Sequence, residues 1–268
     1  RYQIKTYVVN AVSDDTTKGI VSPAGQTIEY GKNATVTASR KTGYKFDGWY
    51  NGSTKVTSAN PYTFAPTANI TLTAKWAINT VSDTVKISPS GGGTVSPNPI
   101  TGQENTAIST TATPATGYNF KHWRYIIVSS ASGEYSESTT NPLKFIITGK
   151  RDITAVFELK SYTVTWNANG GTVSPASVSK THGSTLGTLP TPTRAATAEY
   201  SYTFAGWFTA ANGGTQISST TTVTGNVTYY AHWTATKRSY TATFNGNGGG
   251  TPSPSSITKE YNTALGTL

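Results

Sequence analysis

Four times along the chain a glycine stands three residues ahead of a Ser-Pro pair: Gly19-Ile20-Val21-Ser22-Pro23, Gly93-Thr94-Val95-Ser96-Pro97, Gly171-Thr172-Val173-Ser174-Pro175 and Gly250-Thr251-Pro252-Ser253-Pro254. Glycine tolerates the positive φ of a tight turn, and proline, lacking an N–H, ends a segment that has to stop pairing. Punctuation recurring at 74, 78 and 79 residues describes repeated small units rather than one large domain.

Two further landmarks complete the grammar. The first is aromatic: Gly43-Tyr44-Lys45-Phe46-Asp47-Gly48-Trp49, Gly117-Tyr118-Asn119-Phe120-Lys121-His122-Trp123 and Tyr202-Thr203-Phe204-Ala205-Gly206-Trp207. Tyr and Phe two apart share one face of a strand, and a Trp three further on predicts a bulge or a change of face. Pro23 to Trp49 and Pro97 to Trp123 both span 26 residues, whereas Pro175 to Trp207 spans 32 because Pro190-Thr191-Pro192-Thr193-Arg194 is inserted. The second landmark closes each block with alternation into an aromatic residue, ending at Trp76, Phe157 and Trp233. Small Ala74, Ala155 and Ala231 lie between large residues there, as a thin core requires. Asn60-Pro61 and Asn141-Pro142 each stand 16 residues before Trp76 and Phe157.

These landmarks predict a mainly β chain of tandem small modules with little helix, since no stretch carries helical apolar spacing. The expected modules are 1–77, 81–158, 161–235 and, as the first half of a further one, 239–268. Residues Pro254–Leu268 align without a gap to Pro175–Leu189, so a proline like Pro190 is expected to follow; with no Met in the chain, Arg1 is expected to mark a fragment or a processed product. The expected repeat core is Tyr44, Phe46, Trp49 and Trp76 in block one, Tyr118, Phe120, Trp123 and Phe157 in block two, and Tyr202, Phe204, Trp207 and Trp233 in block three.

Block three, with Tyr162-Thr163-Val164-Thr165-Trp166-Asn167-Ala168-Asn169-Gly170-Gly171, then Tyr202 to Trp207 and Tyr230-Ala231-His232-Trp233, resembles an internalin-type B-repeat, also called the Listeria–Bacteroides repeat. Blocks one and two resemble its divergent branch, and block four the first half of a typical member. The resemblance implies compact β modules with a β-grasp-like arrangement, strung along secreted or wall-attached bacterial proteins, with no catalytic residues and no cofactor. Blocks one and two lack the Asn-Ala-Asn-Gly-Gly opening and Phe157 replaces the closing Trp, so their internal topology is expected to depart from that of block three.

With no cysteine, disulfides, thiolate metal sites and Cys nucleophiles are excluded. His122, His182 and His232 each lack a second ligand at metal-binding spacing, and no Gly-x-Ser-x-Gly elbow serves the many serines. Asp14-Asp15 reads as a polar hairpin tip, and Glu134 and Glu137 fall in a seven-residue extension of block two. The glycine runs are not followed by Gly-Lys-Thr/Ser, so turns explain them better than phosphate cradles. A net charge of +9 tolerates anionic surroundings, but the cations are scattered, with no basic stripe for nucleic acid. No apolar run is long enough for a spanning helix.

The resulting expectation is a non-enzymatic stalk or spacer of a bacterial extracellular or cell-surface protein, without cofactor or metal, whose first partners are its neighbouring repeats. Cell-wall polymer, host glycan or host protein are the candidate external partners. A rival adhesin reading rests on Trp123, Tyr125 and Tyr135, with Tyr50 as a further candidate: exposure as one patch favours it and burial weakens it. A second rival is self-association, in which the half-repeat 239–268 is completed by strand addition.

Overall fold

A computed structural model describes residues 2–127 and 133–266. Positions 1, 128–132, 267 and 268 lie outside it, including part of the block-two extension and the outer ends of the first and fourth blocks. The chain divides into two compact units, Arg1–Glu158 and Leu159–Leu268.

The first unit contains two modules, each with its own apolar cluster. Module one is built from β1 (Thr6–Ser13), β2 (Gly19–Ser22), β3 (Gly25–Glu29), β4 (Ala34–Arg40), β5 (Tyr44–Asn51), β6 (Thr54–Thr57), β7 (Tyr62–Phe64) and β8 (Ile70–Ile78). Its main sheet has the order β3-β1-β8-β5-β6, with β1 and β8 parallel at the centre and antiparallel strands outside them. This is a grasp-like order, but a second sheet, β2-β4-β7, occupies the crossover. Period-2 alternation does the sorting: Tyr7, Val9 and Ala11 of β1 and Ala34, Val36 and Ala38 of β4 are buried, their neighbours outward. Trp49 is fully buried between the sheets, with Phe46 edge-on to both Trp49 and Trp76. The register of β5 against β8 slips between Phe46 and Gly48, a bulge that turns Trp49 inward.

Module two comprises β9 (Thr80–Asp83), β10 (Val85–Ser88), β11 (Gly93–Ser96), β12 (Ile100–Gln103), β13 (Thr106–Pro114), β14 (Tyr118–Ile127), β15 (Ser136–Ser138), β16 (Leu143–Ile147) and β17 (Arg151–Leu159). The same plan recurs with the first strand broken in two: β9 pairs with β12, while β10 runs parallel to β17 in the sheet β10-β17-β14-β15. At the break, the Asn98 side chain replaces a strand neighbour by accepting from Val85 N (2.9 Å) and donating to Val85 O (3.0 Å). The second sheet is β11-β13-β16.

The second unit holds module three, formed by β18 (Ser161–Asn167), β19 (Ser177–Thr181), β20 (Tyr200–Phe208) and β21 (Val227–Lys237), ordered β19-β18-β21-β20, followed by a hairpin of β22 (Ser239–Thr243) and β23 (Ser256–Glu260). Its core gathers Val164, Trp166, Leu186, Trp207, Val223 and Ala231, with Phe204 and Trp233 packed against it. Tyr202 stands outside this cluster and serves instead as a platform for Arg194. The remaining expected core aromatics lie in the clusters of their own modules. The chain is mainly β, and the described residues contain no helix and therefore none long and apolar enough to cross a membrane.

One packing contact explains the glycine three residues ahead of the Ser-Pro pair. A Cβ on Gly19 would come within 2.3 Å of the Trp76 ring, on Gly93 within 2.5 Å of the Phe157 ring and on Gly171 within 2.8 Å of the Trp233 ring. In each complete module this glycine is the floor on which the closing aromatic lies, so no side chain fits. Gly250 has nothing within 4 Å, because no closing aromatic covers it among the described residues.

Candidate functional site

A string of modules does its work at its joints, and two of them lie within a compact unit, one in each. Strands run further than the landmarks suggest, so each linker is a single residue: Asn79 between β8 and β9, and Arg238 between β21 and β22. Asn79 N donates to Gly43 O of module one (2.9 Å), and Asn79 O accepts from Glu104 N of module two (2.8 Å). Arg238 repeats this: its N donates to Glu199 O (2.8 Å) and its O accepts from Tyr261 N (2.8 Å). The linker peptide is thus bonded both backward, to the turn preceding the aromatic strand, and forward, to the turn after the next module's first hairpin. The forward bond also opens modules one and three, from Tyr30 N to Lys5 O and from His182 N to Lys160 O, both 2.8 Å.

Side chains finish the two joints differently. In the first, Glu104 Oε2 accepts from Arg40 Nη1 (2.7 Å), Asn79 Nδ2 (2.9 Å) and Gly43 N (3.2 Å), while Gln103 Nε2 donates to Gly43 O (3.3 Å). The Asn79 amide and then the Arg40 guanidinium hold the Glu104 carboxyl below the ordinary glutamate range. Gly43 has φ +92, and a Cβ there would approach Gln103 Nε2 to 3.2 Å, so the joint needs glycine for both conformation and space. In the second joint Arg238 Nη1 donates to Thr197 O (2.8 Å) and Tyr240 Oη to Ala198 O (2.7 Å). The carboxylate there, Glu260, stands 3.7 Å from Lys237 with both side chains well exposed.

The residues singled out for chemistry are dispersed. Trp123 is 0% exposed, which removes it from any ligand surface: the bulged aromatic strand needs its ring to fill the core. Tyr125 is partly buried against the same core. Tyr135 is 45% exposed, with Arg124 4.6 Å over its ring and its hydroxyl donating to Asp152 Oδ2 at 3.2 Å. The three-aromatic patch is therefore corrected to one exposed tyrosine. Tyr50 donates to Asp47 Oδ2 (2.6 Å) and lies under Lys75. His122 meets Glu137 at 3.3 Å, His182 lies beside Tyr162, and His232 stacks on Phe208. No group of three metal-ligating side chains occurs among the described residues. Asp15 forms a hairpin tip, accepting from Thr17 N (2.9 Å) and Thr17 Oγ1 (2.6 Å) with Lys18 Nζ at 3.1 Å. Those Thr17 bonds, aided by Lys18, lower its pKa to about 2.

Sequence reasoning missed the joint residues Gly43, Asn79, Glu104 and Arg238. The available signal was the shortness of the linkers, which leaves no slack between modules.

Comparison with known proteins agrees with this architecture. The divergent InlB B-repeat domain model matches residues 9–80 and 83–161, and the Listeria-Bacteroides repeat domain model matches residues 162–232. A candidate membrane protein of Evansella cellulosilytica is 27% identical over 213 residues, covering 79% of this chain and 29% of its own length. A candidate Gly-rich membrane protein of the same organism is 28% identical over 212 residues, 78% of this chain and 22% of its own length. The chain thus spans less than a third of the relatives it matches. No solved structure matches it. Two divergent InlB B-repeat domains followed by a Listeria-Bacteroides repeat domain place the chain in the internalin-type B-repeat family, whose modules are typical of surface proteins.

Proposed function

We propose that this chain is a spacer segment of a bacterial surface protein, a non-catalytic string of modules that holds a functional region away from the cell. The observation that carries the reading is the two-way bonded linker residue, Asn79 in one joint and Arg238 in the other. A flexible tether needs slack and a solvated backbone, whereas a one-residue linker whose N–H and C=O are both used by neighbouring modules resists bending. The names of the Evansella relatives agree with a membrane-associated setting.

The chain has no cysteine, so Lys32→Cys and Lys144→Cys, both at exposed positions, place one spin label in each of the first two modules. Pulsed electron resonance should return one narrow distance distribution; a broad one removes the mechanical basis of the reading. In the intact surface protein, deletion of a whole module should draw a distal epitope towards the cell and reduce antibody access. Unchanged access would rule out a spacer.

A further inference from the structure

Module three carries a cleft of about 270 Å³ whose lining includes Asn169, Arg194, Asn212, Gly213, His232 and Trp233. Its walls are fixed from both sides. The Asn169 amide donates to Ala211 O and Ala231 O, each at 3.1 Å, which pins the loop after β20 against β21. The His232 ring lies flat on Phe208 at 3.9 Å, with Nε2 2.9 Å from Ala210 O.

Arg194 enters this cleft from the proline-rich insertion. Its guanidinium is stacked 3.8 Å from the Tyr202 centroid and backed by Gly170, where a Cβ would stand 3.2 Å from Arg194 Cζ. That packing holds the fork in place while leaving its donors almost unused: the single hydrogen bond, to Asn169 O, is 3.5 Å long, and Arg194 has no carboxylate partner among the described residues. Elsewhere Arg40 shows what an engaged arginine looks like here, 2.7 Å from Glu104. The backbone N–H groups of Asn212 and Gly213 donate to no protein acceptor among the described residues.

An immobilised guanidinium without a counter-charge, in a cleft also lined by residues with free backbone donors, is complementary to an anion that presents two oxygens. The half-buried Trp233 edge beside it offers apolar surface for a sugar ring, and the net charge of +9 favours approach of a polyanion. From this geometry we infer that the cleft binds the anionic group of an acidic polysaccharide unit, a carboxylate or a phosphodiester, through Arg194 and the Asn212–Gly213 backbone. The inference stands on module three alone and does not depend on the spacer reading. The turn that forms one lip recurs in the next block, where Asn247 N donates to Asn245 Oδ1 (3.0 Å) as Asn169 N does to Asn167 Oδ1 (2.9 Å).

The test is an amide NMR titration of the whole chain with trigalacturonate, with a glycerol-phosphate oligomer and with neutral maltotriose. Saturable shifts confined to Gly170, Asn212 and Gly213 are expected with at least one anionic probe and none with maltotriose. Response to trigalacturonate alone assigns carboxylate, and response to the oligomer alone assigns phosphodiester. R194Q should weaken binding about tenfold or more, the loss expected for a charge-assisted hydrogen bond. Because R194Q also removes packing on Tyr202, N212D at the exposed loop tip provides a second variant that repels the anion without touching the core. Shifts spread evenly over the basic surface, no saturation, or unchanged binding in both variants would overturn the assignment.

Discussion

Modules one and two share with module three a central parallel strand pair flanked by the aromatic strand, and differ from it most in how the chain crosses between the paired strands. In the divergent modules the crossover is itself a sheet, and an asparagine completes it: Asn60 exchanges two hydrogen bonds with Ala38 (2.8 and 2.6 Å), and Asn141 does the same with Ala112 (3.0 and 2.7 Å). In module three the crossover has only isolated bridges, Thr172 to Thr193 and Thr185 to Thr222. There the Pro190 carbonyl accepts from Trp207 Nε1 at 2.8 Å, whereas Trp49 and Trp123, equally buried, find no partner for Nε1 among the described residues. The mixed sheet and the buried Trp are thus the shared requirement. Buried backbone groups have to be satisfied, but a side-chain amide or an inserted proline segment does so equally well.

The strongest way to break this comparison is to attack what the modules share. G19V and G171V drive a side chain into Trp76 and Trp233 respectively, and each should cost its own module about 1–3 kcal/mol or more. Hydrogen exchange resolved by residue would localise the loss; equal protection in variant and parent would disprove the floor role of this glycine. Next come the devices of the divergent branch. Asn141→Ala orphans both polar groups of Ala112 and should cost module two about 1–3 kcal/mol, leaving module three untouched. Then comes the tryptophan itself: Trp207→Phe should cost about 1 kcal/mol more than Trp49→Phe, since only the former breaks a hydrogen bond.

Acid should separate the two joints. The folded-state pKa of Glu104 is depressed, so its contribution is complete above the unfolded value of about 4.3 and is lost as pH falls through the lower folded value. The label distance across the first joint should broaden below about pH 4.3, and E104Q should show no such pH step. The smallest effect is expected from Lys237→Gln, which removes an exposed pair worth under about 1 kcal/mol and should leave the second joint's backbone bonds protected.

Much of this is legible in the sequence. The Phe46-to-Trp49 spacing predicts a bulge or a change of face, and the alternation of Ala34, Val36 and Ala38 a one-sided strand, because side-chain direction in a strand repeats every two residues. The Asn-Pro pairs were visible as landmarks but not as hydrogen-bonding devices, since their partners lie 22 and 29 residues away. Trp123 was assigned to both core and surface; its burial decides for the core, because the turn of face at the bulge is settled by packing.

By itself the sequence determined the repeated modules and their β character, which follow from local spacing and side-chain alternation, whereas the seat that Gly19, Gly93 and Gly171 give the closing rings came from packing. Only the tertiary structure decided that Gly43 meets Glu104, 61 residues on, and that Arg194 is stacked and left without a counter-charge. The physical reason is range. Alternation and turn chemistry act between near neighbours in sequence, whereas a joint or a cleft depends on which distant backbone and side-chain groups packing brings together.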